Sequence, residues 1–305
     1  MKAKSIPSSW LERDGRRLDC GPYMSGALEA KVLLDELRAT KVPLQNVCLN
    51  GRSGLVNAGR IKRLWVTDEA HGVRFLSSTD ILKSDLSDLQ LISKKAVRAN
   101  PKLLIKAGWT LITRSGTIGR MAFARPDMEG LACSEHVLRV VPDPEKIPPG
   151  YLYAYLSSKF GVPLVVSGTY GAIIQHIEPE HLADLPVPRL GAKTERDVHA
   201  LIETAARNRS RAHVLRQEAQ STFYRQFSLS DLVDADTAEN YASFSVQASS
   251  LQRFDAAHHS PACRAAADEL ASAGETKRLD EVARVFTPGI FKRIHVEDPG
   301  YGYPY

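Results

Sequence analysis

Apolar residues recur at helical spacing in two parts of the chain. Leu28, Val32, Leu33 and Leu37 fit one face of a helix that follows residue 25. A much longer segment, 194–227, repeats apolar residues at threes, fours and sevens: Val198, Leu201, Ile202, Ala205, Ala212, Leu215, Ala219 and Phe223. The second pattern predicts one helix ~50 Å long, entered at Thr194 through a capping box in which Asp replaces the preferred Glu. Its flanking faces are charged, which favours burial against a partner helix; the alternative is a helix lying on its own domain.

Shorter segments between these helices predict strands. Residues 109–113 and 121–123 are β-rich, and the glycines between Arg114 and Arg120 allow a tight turn that joins them. Residues 135–141 predict a further strand, and residues 185–188 an extended segment, because alternate prolines exclude a helix. Residues 93–100 fit one or two helical turns, and residues 151–160 a short helix. The fold class predicted is α/β (mixed α+β), followed by a long spacer helix of coiled-coil type.

One segment of the chain occurs twice. Residues 62–75, which predict a strand, and residues 292–305 share Lys, Arg, Val, Asp and Gly in register, and residues 17–19 match 253–255 at two of three positions. Two matched markers in the same order indicate one structural unit that begins twice. We therefore predict a first domain at 1–190, the helix at 191–227, an acidic linker at 228–252, and the beginning of a second, incomplete domain at 253–305.

The net charge of +5 is unevenly distributed. Residues 37–67 and 89–126 contain no acidic residue, whereas 228–251 contain no Lys or Arg. The bases of the two acid-free runs are Arg38, Lys41, Arg52, Arg60, Lys62 and Arg63 in the first, and Lys94, Lys95, Arg98, Lys102, Lys106, Arg114, Arg120 and Arg125 in the second. Either run alone is typical of a solvated surface, but two in one domain predict a face that binds a polyanion.

Other classes of protein fit less well. The cysteines lack metal-ligand spacing, and neither a signal peptide nor an apolar run long enough to span a membrane is present, which favours a reduced, cytoplasmic protein. A glycine-rich cofactor loop is missing, as is the Asn/Asp-Pro-Pro-aromatic tetrapeptide of amino-methyltransferases. The sequence therefore predicts neither an enzyme nor a metal site.

The order of these features resembles the specificity subunit of type I restriction–modification systems. Residues 108–120, GWTLITRSGTIGR, are similar to a strand–turn motif of that family, with Trp109 where Asp is usual. Further similarity lies in residues 151–156, in the Gly168–Gly171 turn leading to Ile177, in residues 185–188, and from Arg253 to Pro261. The resemblance covers most of residues 17–305.

This resemblance implies an architecture and a set of partners. Two target-recognition domains each read one half of a split DNA sequence, and paired long helices separate them. Methyltransferase subunits, which would carry S-adenosylmethionine, and restriction subunits would supply the chemistry, so this chain itself would hold no cofactor. A missing second half implies either a truncated form or a naturally short one that pairs with a second copy. Two alternatives stay open: a scaffold that binds DNA without sequence preference, and a half-subunit of another methylation-based phage-defence system.

Thirteen residues are candidates for contact with DNA. The phosphate contacts need charge but little geometric precision, whereas base reading favours Arg for guanine and Asn or Gln for adenine. The turn after residue 113 offers hydroxyls and backbone N–H groups between two arginines, although a purely structural hairpin is an equal alternative. The candidates are Lys62, Arg63, Lys94, Lys95 and Arg98 for phosphates; Arg52, Asn57, Tyr170 and Gln175 for bases; and Arg114, Ser115, Thr117 and Arg120 in the turn.

Overall fold

The computed structural model describes residues 4–13, 21–115, 117–167, 176–227, 245–250, 259, 261–284 and 286. Over these residues the strands are β1 (Lys41–Pro43), β2 (Leu55–Val56), β3 (Trp65–Val66), β4 (Gly72–Leu76), β5 (Leu91–Ser93), β6 (Thr110–Thr113), β7 (Met121–Phe123), β8 (Ala132–Cys133), β9 (Val137–Val140) and β10 (Pro186–Pro188). The helices are α1 (Ser8–Arg13), α2 (Gly21–Met24), α3 (Ala27–Glu36), α4 (Lys94–Ala99), α5 (Pro149–Leu156), α6 (Gly161–Ser167), α7 (Pro179–Ala183), α8 (Ala192–Gln226), α9 (Pro261–Ala273) and α10 (Leu279–Val282).

Two four-stranded sheets form the centre of the fold. The first has the order β2-β9-β6-β7 and is antiparallel throughout. The second has the order β3-β5-β4-β8, in which β4 and β8 pair in parallel. β1 and β10 form a separate antiparallel pair. Since β8 belongs to one sheet and β9 to the other, residues 134–136 carry the chain from the second sheet into the first.

The two faces of the first sheet line different cores. Ile112 and Leu138 pack with Leu152 and Leu164 of the helices on one face. Leu111 and Val137, their neighbours along the strands, pack on the opposite face with residues such as Met128. This alternation is the expected consequence of the two-residue period of a strand. Arg139, on the same face of β9 as Val137, is fully buried.

Most local predictions are confirmed. The predicted strand–turn–strand is β6 and β7, which pair in antiparallel register, and the predicted extended segment near 185–188 is β10. The helical turns predicted at 93–100 are α4, whose first turn is capped by the side chain of Ser93. Three boundaries differ: α5 ends at Leu156, β9 begins only at Val137, and residues 62–75 contain two strands rather than one.

The long helix is confirmed, but the predicted start is wrong. α8 begins at Ala192, so Thr194 lies inside the helix and cannot cap it. Glu195 is buried instead, and it accepts hydrogen bonds from the backbone N–H of Leu190 at 3.0 Å and from the guanidinium of Arg189 at 2.7 and 3.0 Å. A carboxylate at this end of a helix also interacts favourably with the helix dipole.

The interpretation of α8 as a helix lying on its own domain holds for part of the stripe, and burial of the rest against a partner helix stays a prediction. Val198 packs on the first core, Ala206 is buried, and Ser210 donates a hydrogen bond to Asp127 at 2.7 Å. Leu201 and Leu215 point away from this contact and are 71% and 47% exposed. The helix therefore lies on its own domain and still presents an apolar stripe to solvent.

The chain divides into two compact units, residues 1–217 and 218–305. In the second unit the structure describes α9 and α10 together with the last turns of α8. The repeated segments 17–19, 253–255 and 292–305 lie outside the described residues, as does most of the acidic linker, so the predicted second domain stays a prediction. Within the described residues, no helix combines the length and the apolar character needed to cross a membrane.

Candidate functional site

Helix α4 and the loop before β3 form a basic surface. The side-chain amide of Asn100, at the end of α4, donates a hydrogen bond to the carbonyl of Ala58 at 2.7 Å. Ala58 and Ile61 pack in the same small core as Val97 of α4. The loop is thereby fixed against the helix. Apart from Arg63, which pairs with Glu135, the cations that these two adjacent segments carry on exposed positions are Arg60, Lys62, Lys94, Lys95 and Arg98, here called the basic surface.

The charges of the basic surface are largely uncompensated. In the part of the chain that the structure describes, none of its five cations forms an ion pair, and Lys94 donates to the carbonyl of Ala70 at 2.7 Å. Other bases of the acid-free runs do find carboxylates, such as Arg52 with Glu180 at 3.1 Å. The structure thus brings Lys62, Lys94, Lys95 and Arg98 into one region, as predicted for phosphate contacts, while the contacts themselves stay a prediction.

Arg63 differs from its neighbour Lys62, because its guanidinium is already engaged. It donates to both carboxylate oxygens of Glu135 at 3.0 and 3.1 Å and to Ser134 Oγ at 3.3 Å. It also lies 5.3 Å from the ring centroid of Phe75, in a cation–π contact. Arg63 therefore connects the basic surface to the segment that joins the two sheets.

That joining segment, residues 134–136, is here called the crossover. Ser134 and Glu135 are buried, whereas the side chain of His136 is 41% exposed. Ser134 Oγ accepts from the backbone N–H of His136 at 3.1 Å and donates to Glu135 at 3.2 Å. Burial alone would raise the pKa of Glu135, but hydrogen bonds from a backbone amide and from Arg63 outweigh it and hold that pKa below its ordinary value.

The register of β6 and β9 brings the turn after β6 to the crossover. Thr113 pairs with Val137, and the backbone N–H of Arg114 donates to the carbonyl of His136 at 2.8 Å. The next residue, Ser115, places its Oγ 2.7 Å from His136 Nδ1. On the other side of the imidazole, Nε2 lies 3.7 Å from Glu135 Oε1. The imidazole of His136 thus lies between Ser115 and Glu135, at the edge where the two sheets meet.

Arg139 stabilises the crossover through hydrogen bonds to backbone carbonyls. Its buried guanidinium donates to the carbonyls of Ser134 at 3.0 Å, Val137 at 2.6 Å and Leu103 at 3.3 Å, and also to that of Cys133. Burial lowers the pKa of Arg139, yet arginine stays charged at neutral pH because its ordinary value is so high. One side chain thereby satisfies carbonyls before, within and after the crossover.

The remaining turn residues are held in different ways. Thr113 is buried, and its hydroxyl accepts from the backbone N–H of Arg120 at 2.9 Å and donates to the carbonyl of Thr117. Gly119 has a φ of 80°, and a Cβ there would lie 2.5 Å from Val166, so a side chain is excluded. Thr117 and Arg120 are exposed. The turn is a well-fixed hairpin that still presents polar side chains to solvent, so both predicted roles stay open.

The predicted base reader Arg52 and the turn residue Arg114 are tied to helix α7 and to Glu178, the residue before it. Arg114 forms an ion pair with Glu178 and donates from Nε to the carbonyl of Ile177 at 3.1 Å, while Arg52 reaches Glu180. Of the others, Asn57 accepts from the backbone N–H of Gly59 at 3.0 Å, which is a local turn contact. Tyr170 and Gln175 lie outside the described residues.

Comparison with known proteins finds similar solved structures only. No protein-family model and no curated protein matches the chain. The chain is similar to type I restriction–modification S subunits. For the S subunit from M. genitalium the identity is 14% and the TM-score 0.36, over 67% of this chain and 44% of that one. For the HsdS subunit from Thermoanaerobacter tengcongensis the values are 16% and 0.38, over 68% and 51%.

A third similar structure comes from work on the complex assembly and conformational transition of the type I R-M system. Its identity is 14% and its TM-score 0.40, over 70% of this chain and 52% of that one. The present chain therefore spans about half the length of each of the three proteins.

The residues missed by sequence reasoning are those of the crossover. The sequence predicts that Glu135 and His136 belong to a strand, and it predicts no role for Arg139. One signal was available, since an arginine within the apolar run VLRVV indicates either an exposed strand face or a buried guanidinium with partners. The contact between Ser115 and His136 had no sequence signal, because it depends on which strands pair. Among the described residues, no group of three or more His, Cys, Asp or Glu could hold a metal ion.

Proposed function

We propose that this chain is the sequence-reading part of a type I restriction–modification specificity subunit, which binds one half of a bipartite DNA site and docks methyltransferase subunits. The observation that carries the proposal is the basic surface, an uncompensated set of cations on a rigid helix–loop pair. Phosphates attract such a surface without demanding exact geometry. The crossover adjoins it through Arg63 and supplies a more rigid, less charged patch of the kind that base reading requires.

The division of the chain fits the same proposal. Residues 1–190 would be the target-recognition domain, 191–227 the spacer helix, 228–252 a linker, and 253–305 the beginning of a second recognition domain. A helix of fixed length sets the separation of two half-sites, as the spacing of dimers does in other DNA readers. Methylation would take place on partner subunits that bind S-adenosylmethionine, with nuclease subunits where the system also cleaves.

Recognition fits the crossover better than catalysis does. A Ser-His-acid triad places the serine on Nε2 of the histidine and the carboxylate within hydrogen-bond distance of Nδ1. Here Ser115 is on Nδ1, and Glu135 is 3.7 Å from Nε2 with both its oxygens bound by Arg63. The carboxylate is thus poorly placed to assist proton transfer, and we propose that the chain is non-catalytic.

The basic surface is tested by removing three of its cations together. Lys94→Ala, Lys95→Ala and Arg98→Ala should weaken binding to all duplexes by a similar factor, because phosphate contacts carry no sequence information. The slope of log K against log salt should fall by about 2–3, since each neutralised phosphate contributes about 0.9. Fluorescence anisotropy with labelled duplexes at several salt concentrations measures both quantities.

A matched control removes the same number of charges elsewhere. Lys31, Lys146 and Lys159 lie on or beside α3 and α5, which pack on the first core, away from α4. Their triple Ala variant should keep the wild-type slope. If the α4 variant also keeps that slope, these three cations do not contact DNA and the proposal loses its main support.

The exposed stripe of α8 favours a second candidate, an assembly scaffold that binds DNA without sequence preference. Leu201, Leu215 and Phe223 are 71%, 47% and 48% exposed. Exposed apolar side chains along one helix are typical of a surface that binds another protein. The two candidates differ in one number, the ratio of affinities for a selected and a scrambled duplex. A reader has a large ratio, whereas a scaffold binds both duplexes and heparin alike.

A further inference from the structure

Two large apolar side chains are exposed beside the basic surface. Leu64 and Trp65 are 55% and 42% exposed, and they follow Lys62 and Arg63 directly in the chain. Their backbone also reaches α4, because the carbonyl of Leu64 accepts from the N–H of Ser93, the capping residue of that helix, at 2.8 Å. Two such side chains in succession, between two groups of cations, indicate a surface that is covered when the protein binds its partner.

Trp65 has a fixed position at the edge of the second sheet. It begins β3, which is an edge strand, and pairs with Ile92 of β5. Its ring makes a T-shaped contact with that of Phe75, with 5.3 Å between the centroids. Phe75 is buried in the small core that contains Val97 of α4. One part of the indole is thus anchored next to the basic helix, and the rest is open to solvent.

The charge around the indole is positive. No carboxylate pairs with the cations of the basic surface among the residues that the structure describes. Two acids follow Trp65 in the next loop, but Glu69 is paired with Arg74 at 3.0 Å, and Asp68 accepts from the backbone N–H of Ala70 at 2.7 Å. Cations around an exposed aromatic ring suit nucleic acid, because phosphates bind the cations and a base stacks on the ring.

Stacking on a base of duplex DNA requires that the duplex opens. In an intact duplex the neighbouring base pairs cover both faces of each base. Proteins open a step by inserting an apolar side chain between two base pairs, which kinks the duplex and is offset by further contacts to its backbone. Pyrimidine–purine steps, TA and CA/TG, kink most easily, so an inserted side chain selects them without hydrogen bonds to their base edges.

We propose that Trp65 inserts between two base pairs of the bound duplex and thereby selects a pyrimidine–purine step. This inference rests on the proposed function and gives it a second means of reading sequence, through the deformability of DNA. Trp65 touches the base and determines specificity at that step. Phe75 is a positioning residue, and the basic surface holds the phosphates.

The first experiment selects bound duplexes from a randomised library with the full chain and its variants. The wild type should enrich TA or CA/TG at one step. Trp65→Thr should lose roughly ten-fold of that preference, because threonine suits an edge strand but is too short and too polar to insert and stack. Trp65→Phe keeps an aromatic face and should retain the preference. Circular dichroism confirms that each variant is folded.

Leu64→Thr is the matched control. It makes the same replacement at the neighbouring exposed position, which the two-residue period of a strand places on the opposite face of the sheet. The preference for the step should stay at the wild-type level. A loss as large as that of Trp65→Thr would overturn the assignment to Trp65, because it would show that any exposed apolar residue here has the same effect.

The shape of the bound duplex provides a second measurement. An inserted side chain kinks DNA by about 20–90°. Energy transfer between dyes at the two ends of the selected duplex should therefore rise when the wild type or Trp65→Phe binds, and much less when Trp65→Thr binds. A straight duplex in the wild-type complex would overturn the insertion.

The fluorescence of the indole reports stacking directly. The chain has three tryptophans, and Trp10→Phe with Trp109→Phe leaves Trp65 as the only one. Stacking on a base quenches indole fluorescence, so the selected duplex should quench Trp65 strongly. Fluorescence that stays unquenched in a bound complex would overturn the proposal. Since Trp65 itself is unchanged here, this test does not depend on whether Trp65→Thr folds.

The outcomes separate this inference from the function on which it rests. If the wild type selects no sequence at all, the proposed function fails and the inference with it. If the wild type selects a sequence and Trp65→Thr selects the same one, with the same preference at every step, the proposed function stands and this inference is wrong.

Discussion

A buried arginine is the residue on which the local structure of the crossover depends most. Arg139 donates to four backbone carbonyls, and those of Cys133, Ser134 and Val137 come from residues that surround the turn between the two sheets. A buried carbonyl without a donor costs about 1–3 kcal/mol, and a lysine lacks the planar fork that reaches several acceptors at once. The guanidinium therefore determines the path of the chain here as much as any apolar contact does.

Arg139→Met should consequently destabilise the first unit by about 3–5 kcal/mol, because several carbonyls lose a buried donor together while the apolar stem is kept. The Ser134 carbonyl still accepts from the backbone N–H of Val137 at 3.2 Å. Urea unfolding followed by circular dichroism measures the loss as a lower midpoint. Arg98→Met is the matched control, since it changes an exposed arginine of α4 and should alter the free energy of unfolding by less than about 0.5 kcal/mol. Equal midpoints for the two variants would show that the carbonyl contacts contribute little.

At the scale of residues, sequence reasoning located cations but not their partners. Lys62 and Arg63 are adjacent and the sequence predicts the same role for both, yet Arg63 alone is bound by Glu135, 72 positions away along the chain. Such a pairing depends on the packing of two sheets and leaves no periodic signal. Ser115 is a candidate from the sequence because its turn offers hydroxyls and backbone N–H groups between two arginines, whereas its partner His136 lies across a strand pairing that only the fold determines.

At the scale of elements, the helices and strands predicted correctly are those that a local sequence pattern defines. The spacing of apolar residues was enough to predict α8, and β-rich segments around a glycine turn were enough to predict β6 and β7. The start of α8 was misplaced because Thr194 fits a capping pattern by its neighbours alone. The actual start is stabilised by Glu195, which binds Arg189 and Leu190 from within the first turn.

Glu195 makes the attachment of α8 dependent on pH. The hydrogen bond from Arg189 holds the pKa of Glu195 below its ordinary value, against an opposing effect of burial. A group with a depressed folded pKa stabilises the fold above its unfolded pKa of about 4.3, and this contribution is lost as pH falls through the folded value. Glu195→Gln should thus be less stable than the wild type near pH 7 by about 1–2 kcal/mol, with the difference shrinking below about pH 4.

Thermal unfolding between pH 3 and pH 7 measures that difference. Glu203→Gln is the control, because Glu203 is a partly exposed acid of the same helix that pairs with Arg207 at 3.2 Å, and exposed pairs contribute little. A difference between Glu195→Gln and wild type that stays constant down to pH 3 would contradict the role given to the carboxylate.

At the scale of the whole molecule, the two faces of α8 differ in their contacts. One is used within the first unit, where Ser210 bonds Asp127 and Arg216 bonds Asp85 at 3.0 Å. The other carries Leu201 and Leu215, which are largely exposed. The chain also spans about half the length of the S subunits to which it is similar. An apolar stripe on a helix of 35 residues fits a surface that a partner would cover in the proposed assembly.

A pair of substitutions in the α8 stripe separates the proposed assembly from DNA binding. Leu201→Glu with Leu215→Glu should abolish co-purification with the methyltransferase subunits, because two buried carboxylates without partners would oppose the interface by several kcal/mol. The same variant should keep wild-type affinity and salt slope for duplex DNA, since neither leucine adjoins the basic surface. Arg196→Glu with Arg211→Glu is the matched control: it places the same acids on exposed polar positions of α8 and should leave co-purification intact. Retained co-purification by the leucine variant would mean that the stripe is not the docking surface, whereas loss of DNA binding would mean that recognition and assembly share one face of this molecule.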